Sequence, residues 1–135
     1  MNSVNKKTAK IKYRSTPRPM GVFSITNVES GKRFISSSLN LPGSFNRHKF
    51  QLNAGVHASK SLQNDWNAVG ENGFEFEILE EIQPREDPAY DHAADLVFLE
   101  DLWLDKFEPY GDKGYNEKKK TREERLRMIA ENRKL

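Results

Sequence analysis

Histidine and glutamate are the residue types in this chain that could move a proton or hold a cation near neutral pH, and few are placed to do so. The three histidines are His48, His57 and His92, and imidazole is the side chain whose ordinary pKa lies closest to physiological pH. Their spacing forms no His/His/Glu metal pattern. His48 falls on the apolar stripe of a helical segment, so it either lines a site or lies part-buried against a backbone carbonyl. His57 and His92 read as surface residues. Glu100 lies on a later helical segment, and its neighbour Asp101 must face another side of that helix, so the two do not form a carboxylate pair. Cysteine is absent, which excludes a disulfide framework and a thiolate metal site.

Charge gives the broader signal. Residues 1–19 contain Lys6, Lys7, Lys10, Lys12, Arg14 and Arg18 and no acid. Acids dominate from Glu77 to Glu108, opposed by Arg85 and Lys106, and bases lead again from Lys118. Basic ends around an acidic flank suit an electrostatic grip on a polyanion. The plainer alternative is that charged tails keep a small domain in solution.

At 135 residues the chain has room for one domain with a modest core plus tails. No apolar run approaches the ~18 residues a membrane span needs, and the basic start lacks the apolar core of a secretory signal. A cytoplasmic protein without a membrane partner is therefore expected. The elements that would carry the chemistry follow from periodicity. Val22–Thr26 and Phe34–Ser36 are β-branched and aromatic runs around a turn at Asn27–Gly31, which predicts a hairpin. Alternation puts Val22, Ser24 and Thr26 on one face and Phe23 and Ile25 on the other, with Phe34 and Ser36 opposed to Ile35. Leu41 to about Asn53 predicts a short helix capped by Asn40 or Ser38 and ended by Gly55. Ser59–Val69 predicts a second helix, with Leu62, Trp66 and Val69 on one face and Gly70 as its stop. Phe74–Ile82 alternates as a half-buried strand, and a helix runs from Asp91 or His92 to about Phe107. Gly114–Asn116 reads as a turn, and Glu117–Leu135 as a charged segment able to form a surface helix. The fold class is α+β: a small three-stranded antiparallel sheet with helices packed against it. The domain spans 20–116, with a basic arm at 1–19 and the charged segment at 117–135.

The hairpin triplets Gly21-Val22-Phe23 and Phe34-Ile35-Ser36 resemble the paired motif of the GIY-YIG nucleases. Further blocks follow in order: Phe45-Asn46-Arg47-His48, Leu52–His57, Leu62–Gly70 with Phe74–Ile82, Glu100 with Trp103, and Gly114-Tyr115-Asn116. The resemblance covers Gly21 to Asn116 and implies the nuclease fold. It also implies a site in which a hairpin tyrosine acts in proton transfer or activates the nucleophile, an arginine steadies the phosphate and a glutamate holds one divalent cation. Here the tyrosine positions are Phe23 and Phe34, the arginine position is Ser44 and the motif glycine is Ser36. Glu100, His48, His57 and Asn116 are retained. A phenyl ring neither takes nor gives a proton, and serine lacks the charge and forked donors of guanidinium.

The resemblance therefore implies a domain impaired in catalysis, with Phe23, Phe34, Ser44, His48 and Asn116 at the old catalytic positions. One Mg²⁺ or Mn²⁺ ion would bind weakly at Glu100. Lys32, Arg33, Arg47, Lys49 and Lys60 lie around the face that would receive DNA, so binding without cutting, in an accessory or regulatory role, is the leading expectation. Such binding should be weakly specific and salt-dependent. An active metal-dependent endonuclease, with Tyr13, Lys32 or Arg33 standing in for lost groups, is one alternative. A protein-interaction module reusing the cleft is another.

Overall fold

The computed structural model describes residues 18–118 and 122–133. Most of the basic arm, Tyr13 included, thus lies outside the described residues. Strand β1 (Met20–Asn27) is the centre of the molecule, flanked by β2 (Arg33–Ser38) and β3 (Phe74–Ile82), both antiparallel to it, in the order β2-β1-β3. β-branched and aromatic residues on both faces suit a strand covered on both sides, and seven of its eight residues are buried.

Alternation along β1 sorts the sheet into two cores. Phe23 and Ile25 point to one side and pack with Leu41, Leu52, Leu62, Trp66, Phe74 and Tyr115. This side is covered by helices α1 (Leu41–Ala54) and α2 (Lys60–Val69). Val22 and Ile35 point to the other side and meet Leu104, Leu99, Trp103 and Phe107 of α3 (His92–Phe107). Glu71–Gly73 and Gly111–Lys113 are single 3-10 turns. A last helix, α4 (Arg122–Arg133), lies within the charged segment. Among the described residues no helix is long and apolar enough to cross a membrane.

The helix ends match their sequence signals. Asn40 accepts a hydrogen bond from the Gly43 N–H, Ser59 from Leu62 and Asp91 from Ala94. Gly55 closes α1 in the left-handed region at φ 79, where a Cβ is disfavoured. Glycine at position 21 has a different cause. The register slips between Val22 and Phe23, and a Cβ on Gly21 would collide with the backbone of Glu80 and Glu81.

One segment departs from expectation. Gly114–Asn116 is more than a turn: it lies along the outer edge of β2 through a bridge between Arg33 and Gly114. The Tyr115 N–H donates to the Arg33 carbonyl at 2.9 Å. Pairing between residues so distant in sequence leaves no mark on local periodicity.

Candidate functional site

Phe23, Phe34, Phe45, His48 and His57 form one aromatic cluster between the sheet and α1. The Phe23 ring centroid lies 5.3 Å from Phe45 and 5.5 Å from His48. Phe34 lies 5.7 Å from His48 and 5.4 Å from His57. The helical spacing of Leu41, Ser44, His48 and Leu52 turns His48 inward, where it is 8% exposed. Its partner is another side chain, not a backbone carbonyl: His48 Nδ1 is 2.8 Å from His57 Nε2.

The surface placement expected for His57 is wrong; it is 1% exposed. Its loop reads as polar, but Gln63 at the start of α2 reaches back to accept from the His57 N–H at 3.0 Å and draws the loop inward. His92 is only half-buried, and its Nε2 accepts from the Arg85 N–H.

The hydrogen bonds assign the tautomers. The Ser59 N–H donates to His57 Nδ1 at 3.0 Å, so the neutral His57 ring carries its proton on Nε2 and gives that bond to His48 Nδ1. Burial, then His57, then Arg47 push the His48 pKa down to about 4. Burial lowers that of His57 also. Both rings are neutral at pH 7, and a base this weak accepts a proton reluctantly.

Ser44, 5% exposed, donates from its hydroxyl to Ser38 Oγ at 2.5 Å, and Ser38 Oγ accepts from the Asn40 N–H. It belongs to a closed polar knot at the β2–α1 junction. Glu100 lies across the sheet, half-buried on α3, where Ser37 Oγ donates to its Oε1 at 3.1 Å. The aromatic cluster and Glu100 therefore occupy opposite faces of the sheet. Two adjacent residues of β2 reach to either side: Ser37 bonds Glu100 and Ser38 bonds Ser44. Ser38 was a candidate helix cap in the sequence, but Ser37 went unnoticed, although alternation from Ile35 puts it on the α3 face.

Asn116 uses both ends of its amide. Its Oδ1 accepts from the Ile35 N–H and its Nδ2 donates to the Ile35 carbonyl, both at 2.8 Å. It stands in for a strand neighbour along an otherwise open edge. Trp103, the aromatic neighbour of Glu100, donates from Nε1 to Glu80 at 2.9 Å.

The Ser37 hydroxyl is, among the described residues, a polar group bonded to the Glu100 carboxylate. Among the described residues no three or more His, Asp or Glu come together as a metal site. Mg²⁺ keeps several waters and takes its remaining ligands from carboxylates and substrate phosphate.

The bases separate as well. Arg47 and Lys60 are exposed on α1 and α2, and Lys32 is half-buried in the hairpin turn. Lys49 lies 5.2 Å over the Phe76 ring. Arg33 stays on the α3 face, bonded to Glu77 at 3.3 Å and to Ser24 and Thr26, with its guanidinium 4.5 Å over Phe107. It does not join the others.

No protein-family model matches the chain, and no curated protein matches it. Two solved structures are similar to it. One is the catalytic domain of the homing endonuclease I-TevI, at 27% identity and TM-score 0.62, covering 74% of this chain and 99% of that one. The other is a glutamate-to-alanine mutant of the intron endonuclease I-TevI catalytic domain, at 28% identity and TM-score 0.62, covering 76% and 97%. With its three-stranded antiparallel sheet and flanking helices, the chain has a GIY-YIG-like fold.

Proposed function

We propose that this GIY-YIG-like domain holds DNA on its α1–α2 side and has lost most of its capacity to cut it, serving an accessory or regulatory role. The observation behind the reading is the content of the old catalytic positions. Phe23 and Phe34 enclose a buried, neutral histidine pair, and Ser44 is tied to Ser38. Phosphodiester hydrolysis needs an activated water and fixed positive charge against the phosphate. Losing one preorganised donor typically lowers the rate ~100- to 1,000-fold, and losing acid–base help ~100- to 10,000-fold. The combined loss is not their product, yet either alone leaves a slow enzyme.

Binding asks less of a surface than cutting does. Lys32, Arg47, Lys49 and Lys60 can neutralise phosphates without any group aligned for chemistry. The neighbouring structures come from an endonuclease, which favours nucleic acid as the partner. Filter binding of duplex and single-stranded DNA across a salt series tests this. Measurable affinity at low salt that fades as salt rises supports the proposal, and no affinity at low salt defeats it.

A second reading, slow metal-dependent cleavage, draws on Glu100 at the sheet edge beside Ser37. A cation bridging Glu100 and a phosphate would stabilise charge on the phosphate oxygens. Nicking of plasmid that needs Mg²⁺ or Mn²⁺ and vanishes in Glu100→Ala would establish this reading over the first.

A further inference from the structure

The outer stripe of α1 contains a feature that neither packing nor phosphate binding uses. The helix buries Leu41, Ser44, His48 and Leu52, so Asn46, Arg47, Phe50 and Ala54 come to the opposite side, and all four are exposed. Phe50 is 74% exposed, the highest value among the large apolar side chains of the described residues. Asn46 and Arg47 precede it by four and three positions, the spacing at which helix side chains are neighbours.

Charge identifies what this stripe faces. From Ser30 to Asn64 the sequence contains no aspartate or glutamate, but it carries Lys32, Arg33, Arg47, Lys49 and Lys60. The acids gather on β3 and α3 instead. A polyanion is therefore drawn to α1 and repelled from the opposite layer. Phenylalanine has no donor or acceptor, so it cannot read the polar edges of bases in a groove. It offers a ring face, and a base offers its own face only where the stack is open.

We propose that Phe50 is a stacking platform for an unpaired nucleobase, and that the nucleic acid held here is single-stranded or locally opened. Arg47 beside it would engage the adjoining phosphate. The inference rests on the DNA-binding reading above and names its substrate class.

Fluorescence anisotropy of the full chain with one labelled sequence, presented as a single strand and as a duplex, tests it. The single strand should bind more tightly. Phe50→Ala should weaken single-strand binding about 5- to 150-fold and leave the salt slope unchanged. Phe50→Trp should retain the affinity and show indole quenching when the strand binds. If Phe50→Ala binds like the native chain while Arg47→Glu is weakened, the platform is refuted and electrostatic DNA binding stands. Tighter duplex binding that depends on Phe50 also refutes it, because the ring would then act in a groove. No binding of either form removes this inference together with the reading beneath it.

Discussion

Phenyl rings at positions 23 and 34 limit what the neighbouring imidazoles can do. A hydroxyl beside His48 would give it a proton partner; Phe23 and Phe34 give it only desolvation, and the ring settles as a neutral acceptor for His57. This has a consequence for stability. The folded-state pKa of His48 is about 4, against 6.5 for the free side chain. Between those values the unfolded chain binds more protons than the folded one, so stability rises with pH across the window. It is fully present above about pH 6.5 and is lost progressively as the pH falls toward 4. Urea unfolding at pH 7 and pH 5 should differ by about 2 kcal/mol. His48→Gln, which keeps an acceptor for His57 but does not titrate, should remove most of that difference. A variant as pH-sensitive as the native chain would locate the titration elsewhere.

At the scale of elements, the edge of β2 is a fixed point of the fold. Asn116 closes the edge of β2 by bonding both backbone groups of Ile35. Asn116→Ala leaves them for water to satisfy, and a loss of about 1–3 kcal/mol in urea unfolding is expected, with more aggregation from the open edge. An unchanged unfolding midpoint would show that the amide is dispensable. Gly21 is the other fixed point, since the bulge brings β3 too close for a side chain. Gly21→Ala should cost about 1–3 kcal/mol through forced backbone shifts, visible as a lowered melting temperature; a neutral substitution would mean the bulge relaxes cheaply. The three strands and the helix bounds were legible in the sequence, because alternation, Asn40, Ser59 and the closing glycines are local signals. What was hidden depends on distant pairing. Nothing near His57 announces that Gln63 pulls it inward, and nothing near Asn116 announces that its amide matches Ile35. The retained histidine and asparagine were visible as candidates, but their partners, and so their structural employment, were not.

Across the whole molecule, charge is divided between two sides. Helix α1 lies within the acid-free stretch Ser30–Asn64, while β3 and α3 together carry eight of the chain's twenty acids. DNA approaching the basic layer should release about one counterion per neutralised phosphate. With Lys32, Arg47, Lys49 and Lys60 each on a phosphate, log affinity for duplex should fall against log salt with a slope of about −3 or steeper. Replacing Arg47 and Lys60 together with glutamine should make that slope shallower by about 2. A slope indifferent to both changes would move the binding surface elsewhere.

The central claim is that a nuclease-like frame persists here without the groups that cut. Incubation of supercoiled plasmid with the purified full chain and Mg²⁺ or Mn²⁺, at protein concentrations that saturate DNA binding, tests it most directly. The plasmid should remain supercoiled. Conversion to nicked circles by the native chain, abolished in Glu100→Ala, would contradict the account.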